Sequence, residues 1–459
     1  MTTRLRFAPS PTGYLHLGNL RTAAMNAALA ARAEDGAFVL RLDDTDAERS
    51  EQRFADAIVE DLAWLGIEPR ETVRQSQRVD LYDEALRQLE RRGLAYRCYE
   101  TPDELERRRK RTMARGLPPI YDRAALKLTD DERGELEAEG RKPHWRFLLP
   151  NHDGDPFSTR RTETRWNDLV LDEQIVDLAS LSDPVLRRGD GTYLYTLPSV
   201  VDDADLAIST VLRGSDHVTN TGVQIALFEA LGFSVPAFGH HNLLLAPDGD
   251  GLSKRTGSLA LRELREQGYE PEAVIGVAAL TGTSRPVEPM TLAQLAQTFD
   301  PSEVSASPSR LSLDELSSLN ARVLHEMGYE AAKERLQALD CDLGPDFWSA
   351  VRANLERFAD VRTWAAIVRG DGPTAELDDE DAGFVAQALD DLPTTIGPYG
   401  WREWTRALKA RTERKGRALF MPLRLALTGL DYGPDLATFL PLMPRETIVA
   451  RLQRHRLAK

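Results

Sequence analysis

The stretch RLRFAPSPTGYLHLGNLRTAAMNAALAARAE, residues 4–34, places two prolines and a glycine between two regular elements. Residues 4–8 alternate bulky side chains and read as a short strand. Pro9-Ser10-Pro11-Thr12-Gly13 can continue neither a central strand nor a helix, so it is a shaped loop. From Leu17 the residues Leu20, Ala24, Ala27 or Ala28, and Ala31 recur at helical spacing, with Gly36 as the stop. Residues 37–42, AFVLRL, read as a buried strand, and Phe54, Ile58, Leu62 and Leu65 mark a second helix stopping at Gly66. Strand, helix, strand in this order is a βαβ unit of a parallel sheet.

The same stretch suggests a site. A helix N-terminus carries unsatisfied N–H groups and a partial positive charge, and a strand feeding it sets that charge at the carboxyl edge of the sheet, where ligands bind. Gly13 and Gly18 let backbone or ligand come close. His16 can donate a hydrogen bond to a phosphate oxygen; a capped helix with a packed histidine is the other reading.

Residues 96–188 mix a charged helix, a proline-rich segment at 116–120 and a short strand near 145–149, which marks an insertion. Sheet-like text resumes with TYLYTLPSVVDD (192–203) and LAISTVLRG (206–214), then a helix over 219–231 and the apolar HHNLLLAP. The loop DGDGLSKRTGS, residues 248–258, has three glycines around Ser253-Lys254-Arg255. Its lysine can close over phosphates, or the loop is a charged surface turn. Beyond 319 the text is helical throughout. The expected fold class is α/β: a Rossmann-like parallel-sheet domain (1–95 and 189–240) with an inserted α+β domain (96–188), a loop region (241–318) and an all-helical C-terminal domain (319–459).

A chain of 459 residues allows about three domains. No apolar run is long enough to span a membrane. A net charge of −15 argues against indiscriminate nucleic-acid binding and leaves room for local patches such as ERRRKRTMAR, residues 106–115, whose other reading is a solvated helix face. Cys98 and Cys341 lack cysteine or histidine neighbours at metal-ligand spacing, so free thiols in a reducing, cytoplasmic setting are expected. No Ser-His or Cys-His arrangement is evident.

RFAPSPTGYLHLGN resembles the His-x-Gly-His region of class I aminoacyl-tRNA synthetases, in the form found in glutamyl-tRNA synthetases, with Asn19 at the second histidine. DGDGLSKRTGS is similar to the Lys-Met-Ser-Lys-Ser motif, with Gly251 at the first lysine. RLDDTD, NTGVQIALFEALG and KGRALFMPLRLALTG extend the resemblance over essentially the whole chain.

The resemblance implies ATP-dependent activation of glutamate to glutamyl-adenylate, then transfer to the 3′ end of tRNA-Glu, with charging of tRNA-Gln left open. Such a transfer works by positioning and charge stabilisation. His16 and Lys254 would be catalytic. Ala8, Pro9, His16, Gly18, Asn19, Asp216, Leu252, Ser253, Lys254 and Arg255 would bind ATP, which brings Mg²⁺. Glutamate would meet Arg6, Ser10, Asp43, Tyr195, Ser199 and Arg213, with Arg213 on the side chain because a guanidinium fork suits a carboxylate. Asp43 stands where the family carries a glutamate, and Ser199 where it carries an asparagine. Among Asp43, Asp44 and Asp46, Asp46 is expected to cap the helix from about Glu48. His240-His241 reads as packing or ATP contact rather than metal. Relatives with zinc in the insertion carry several cysteines; Cys98 with Glu100 predicts no zinc and no metal site. The acceptor end would meet the insertion, with Arg107 to Arg111 as candidates, and the anticodon the helical domain, with the tail RLQRHRLAK also a candidate. The family implies a monomer.

Overall fold

The computed structural model describes residues 3–252, 259–394, 396–397 and 399–455. The chain divides into two compact units, Met1–Leu264 with Val274–Ser312, and Arg265–Ala273 with Leu313–Lys459.

The first unit is built on β1 (Arg4–Phe7), α1 (Leu17–Ala31), β2 (Ala37–Leu42), α2 (Gln52–Trp64), β3 (Glu71–Arg74) and α3 (Val79–Arg91). The sheet is completed after the insertion by α6 (Thr196–Asp205), β9 (Thr210–Gly214), α7 (Val218–Leu231) and β10 (Ala237–His241). Its five strands run parallel in the order β10-β9-β1-β2-β3. Every residue of β2 is buried, as expected for a strand covered on both faces, and this includes Arg41. The small residues Ala23, Ala24, Ala27 and Ala28 let α1 sit close over the sheet. Strand order reverses between β1 and β9, so their carboxyl ends open the crevice in which doubly wound folds bind ligands.

The segment TYLYTLPSVVDD is not strand. From Thr196 it is α6, with Leu197, Val200 and Val201 in the core and Pro198 tolerated in the first turn. Its β-branched residues suggested a strand, but burial of one helical face together with Asp202 and Asp203 overrides that propensity. Asp46 is no cap either. Helix α2 starts at Gln52, and it is the backbone carbonyl of Asp46 that accepts from Arg49 and Ser50 in a turn before it.

Residues between α3 and α6 form an antiparallel sheet of β4 (Ala95–Cys98), β5 (His144–Phe147) and β8 (Val185–Arg187), with α4 (Pro102–Ala114) and α5 (Asp130–Ala138). The hairpin β6 (Glu163–Asp168) and β7 (Asp172–Asp177) packs on the parallel-sheet core: Leu169 donates to Phe238 of β10, and a Cβ on Gly222 of α7 would stand 2.6 Å from Val176.

Later come β11 (Leu244–Leu245), α8 (Leu261–Glu266), α9 (Pro271–Leu280), α10 (Leu292–Thr298) and β12 (Ser309–Arg310), which pairs with β11. The second unit is helical among its described residues, around a core that includes Trp348, Trp364, Trp404, Phe347 and Phe439.

Candidate active site

His16 is the N-cap of α1. Its ring Nδ1 accepts from the backbone N–H of Gly18 at 3.1 Å and Asn19 at 3.4 Å, while Asn19 Oδ1 accepts from the His16 N–H at 3.1 Å. The capping reading is met at Nδ1, and the phosphate reading concerns the other ring nitrogen. With Nδ1 used as an acceptor, the proton of the neutral imidazole sits on Nε2, which remains a donor. Burial lowers the His16 pKa, which keeps the ring neutral. Gly18 leaves room for the ring, since a Cβ there would lie 3.0 Å from the imidazole, a tight contact. A Cβ on Gly13 would meet no described protein atom within 4 Å.

His16 lines a cavity of about 470 Å³ at the carboxyl ends of β1 and β9. Arg6, Ala8, Pro9, Ser10, Gly18, Asn19, Asp43, Tyr195, Arg213, Asp216 and Leu252 line it too. Ser199 does not; it is fully buried behind the wall, beneath Arg41. Ser253, Lys254 and Arg255 lie outside the described residues. The residues flanking them meet α1: Leu252 Cδ1 faces Gly18, and Ala260 bridges to His16.

The two pocket arginines are held differently. Arg6 reaches Asp203 of α6, 3.2 Å from Nε. Arg213 donates to Tyr195 Oη at 2.6 Å, Thr221 Oγ1 at 2.5 Å and Gln224 Oε1 at 2.7 Å, with its Nε 3.5 Å from His240 Nε2. None of these partners is a carboxylate. Burial lowers the Arg213 pKa without a direct anion to offset it, so the guanidinium gains most when an anion enters the cavity.

Behind them lies a network whose partners the sequence reading missed. Arg41 grips Asp43 with Nε at 2.7 Å and Nη2 at 3.2 Å, donates to Asp203 at 2.7 Å, and reaches Ser199 Oγ at 3.3 Å. Asp202 accepts from Gln75, Arg78 and Tyr82. Burial works to raise Asp203, but Arg6 and Arg41 outweigh it and hold its carboxyl low. For Asp43, burial wins and the carboxyl is raised against the pull of Arg41. An arginine inside an all-buried strand was the one available signal. Asp43 lies two residues from it, but Asp203 and Ser199 lie more than 150 residues away.

The cavity wall also includes Thr22, His217 and His241. His217 packs against Tyr195 with ring centroids 5.6 Å apart, and burial followed by Arg213 pushes its pKa down to about 4. His241 donates from Nδ1 to Asn242 O and accepts from Thr22 Oγ1 at 2.8 Å.

Residues 2–318 match the family described as tRNA synthetases class I (E and Q), catalytic domain, and residues 380–456 match an anticodon binding domain. Glutamate--tRNA ligase 1 of Brucella canis is 56% identical over 98% of this chain and 100% of its own length. The chain belongs to the class I glutamyl-tRNA synthetases. Glutamate--tRNA ligase 2 of Brucella melitensis is 55% identical over the same shares. A glutamate tRNA ligase from Elizabethkingia meningosepticum, solved in complex with its amino acid, matches with a TM-score of 0.85 and 25% identity over 100% of both chains.

Outside the cavity, this glutamyl-tRNA synthetase has a larger hollow of about 690 Å³ in the insertion, lined in part by Arg107, Arg108, Lys110, Arg111 and Arg141. Helix α4, which carries four of these five cations, has no buried residue, as a solvated face requires. In the tail, Arg451 is buried and donates to the carbonyls of Gly372 and Pro373, so this cation is structural; residues 456–459 lie outside the described residues. Cys98, Glu100 and His144 bring ligand atoms within 4.8 Å of one another, a cluster that the 44 residues from Glu100 to His144 hid from the sequence reading. Three donors are one short of a closed structural zinc site. His240 is buried between Thr221, at 2.8 Å, and Asp168, at 2.5 Å, whereas His241 packs against Thr22 and Asn242 and also lines the cavity wall.

Proposed function

We propose that the cavity activates glutamate and that the protein works as a glutamate–tRNA ligase through the following division of labour. ATP lies over the first turn of α1, its phosphates facing the N–H groups of the helix and the Nε2–H of His16. Lys254 adds a compact positive charge to the phosphates as the adenylate and pyrophosphate separate. The side-chain carboxylate of glutamate pairs with Arg213, with Tyr195 as a further donor. Arg6 and Ser10 bind at the other end of the amino acid, and Asp43, held by Arg41, faces its ammonium. The α-carboxylate of glutamate attacks the α-phosphorus of ATP and displaces pyrophosphate, and the 2′-hydroxyl of the tRNA's terminal adenosine then takes the acyl group, releasing AMP.

The observation that carries this reading is Arg213, a buried guanidinium at the cavity wall whose described partners are uncharged acceptors. A substrate with a second carboxylate completes it; an amide does so less well, because the ion pair is lost. Mg²⁺ arrives with ATP. Of the wall carboxylates, Asp43 is held by Arg41, which leaves Asp216 to face a hydrated ion.

In this reading the insertion (96–188) takes the acceptor end, with Arg107 to Arg111 as phosphate contacts, residues 241–318 carry the lysine loop and touch the stem, and residues 319–459 take the anticodon. The protein acts as a cytoplasmic monomer and uses no structural zinc. Charging of glutamate onto separate tRNA-Glu and tRNA-Gln transcripts, with Lys254→Ala as control, tests the assignment. Charging of tRNA-Glu that is lost in the control is expected. Failure to charge either transcript would overturn it, and charging of tRNA-Gln would add a second acceptor.

A further inference from the structure

Neither Asp168 nor His240 touches the cavity, yet both are buried and joined to Arg213 by an unbroken chain of hydrogen bonds. Asp168 ends β6, on the hairpin that packs over the parallel sheet. Its Oδ1 accepts from the backbone N–H of Val170, Leu171 and His240, and its Oδ2 accepts from Trp166 Nε1 at 3.0 Å and from His240 Nδ1 at 2.5 Å. A carboxylate so placed keeps the imidazole proton on Nδ1. His240 Nε2 is then an acceptor, with Thr221 Oγ1 at 2.8 Å. The Thr221 hydroxyl then donates to that ring at 2.8 Å in preference to the His217 carbonyl at 3.3 Å, which turns its lone pair toward Arg213 Nη2 at 2.5 Å.

We infer that Asp168 and His240 are positioning residues for glutamate selection, holding the Arg213 guanidinium in place through a one-way chain in which Arg213 donates to Thr221, Thr221 to His240, and His240 to Asp168. The physical point is direction. Arg213 needs acceptors to fix its fork, and a carboxylate in contact with it would take up the charge meant for the substrate. The chain, with the longer contact from Arg213 Nε to His240 Nε2 at 3.5 Å beside it, sets the acid behind the imidazole and presents only neutral oxygen and nitrogen to the guanidinium. Burial works to raise Asp168, but the hydrogen bonds from His240 and Trp166 prevail and bring it down to about 2, so it stays ionised. Burial lowers His240, which keeps the ring neutral despite Asp168.

The inference rests on Arg213 being the receptor of the side-chain carboxylate. Asp168→Asn keeps the volume but can donate to His240 Nδ1, which moves the ring proton to Nε2 and reverses Thr221. ATP–pyrophosphate exchange by the full chain, with tRNA-Glu present, should then show the KM for glutamate raised roughly tenfold or more, with the KM for ATP within about twofold of wild type. His240→Gln, which can return an acceptor near Nε2, should recover most of the loss that His240→Leu shows. Thr221→Val cuts the chain without touching the hairpin turn, and it serves if Asp168→Asn fails to fold. A folded Asp168→Asn or Thr221→Val protein with an unchanged KM for glutamate would overturn the inference, as would an equal rise in both KM values. An Arg213→Lys protein with unchanged KM for glutamate would overturn the pocket reading and the inference with it. An Arg213→Lys protein that loses glutamate while Asp168→Asn keeps it would overturn the inference alone.

Discussion

His16 performs two jobs with two nitrogens, and substitution can separate them. His16→Asn retains a side-chain acceptor for the first turn of α1 but removes the Nε2–H donor. Its melting temperature should stay near wild type while the rate of ATP–pyrophosphate exchange falls, on the order of a hundredfold. His16→Ala should lose both, with about 1 kcal/mol of stability gone from the cap. Asp43 and Ser199 offer a second test. Both are shorter than the residues usual in the family, and both meet the Arg41 guanidinium. Asp43→Glu and Ser199→Asn should each raise the KM for glutamate. The double variant should deviate from additivity by about 0.5 to 3 kcal/mol, because the two changes share one partner. Additive effects in that cycle would mean that Arg41 does not couple them.

At the scale of the element, buried arginines fasten helix ends. Arg21 of α1 is fully buried and donates to the carbonyls of Ala278 at 2.9 Å and Thr281 at 2.8 Å, at the C-terminal end of α9, and to Asn242. The negative end of a helix dipole suits a cation there. Burial pulls Arg21 down to about 9, so it remains charged at neutral pH. Arg21→Met should fill similar space and orphan those acceptors, costing about 2 to 4 kcal/mol, seen as a lower midpoint of urea unfolding. Periodicity made α1, β2 and α2 legible, because each buries one stripe or both faces against a neighbour. It failed at α6, where Val200 and Val201 suggested a strand. A helix that buries two aspartates for the sake of Arg6, Arg41 and Arg78 has no simple apolar stripe to read.

For the whole molecule, charge and pH set the conditions of work. With a net charge of −15, the protein can hold RNA only through local clusters such as the cations of α4. Affinity for tRNA should therefore fall steeply as salt rises, and replacing Arg107 and Arg111 together by Gln should flatten the slope of log K against log salt by about one unit or more. Stability should fall on the acid side. His241 is buried and its pKa is pushed from 6.5 down to about 3, mainly by burial and then by Arg21. A histidine lowered in the folded state leaves stability intact above pH 6.5 and removes it as pH falls from 6.5 toward 3, because the unfolded chain takes the proton first. By pH 5 this one ring should cost about 2 kcal/mol. Urea unfolding at pH 7 and pH 5 measures the loss, and His241→Gln should shrink it.

Residues 4–42 carried their own instructions. A strand, a stiff loop, a helix beginning at His16 and a second buried strand follow from local sterics and from the spacing of apolar side chains, which act over a few residues and leave a period in the text. The pocket arginines Arg6 and Arg213 were named by the resemblance to the family, and both line the cavity. Their partners were not named. Arg6 meets Asp203 across 197 positions, Arg213 reaches Asp168 through His240, directly and by way of Thr221, and Cys98 gathers Glu100 and His144. Which buried charge is neutralised, and which is left for a substrate, is an electrostatic matter of a few ångströms between residues far apart in the chain. No local period encodes such distances, so only the folded sheet and the hairpin laid across it decided them.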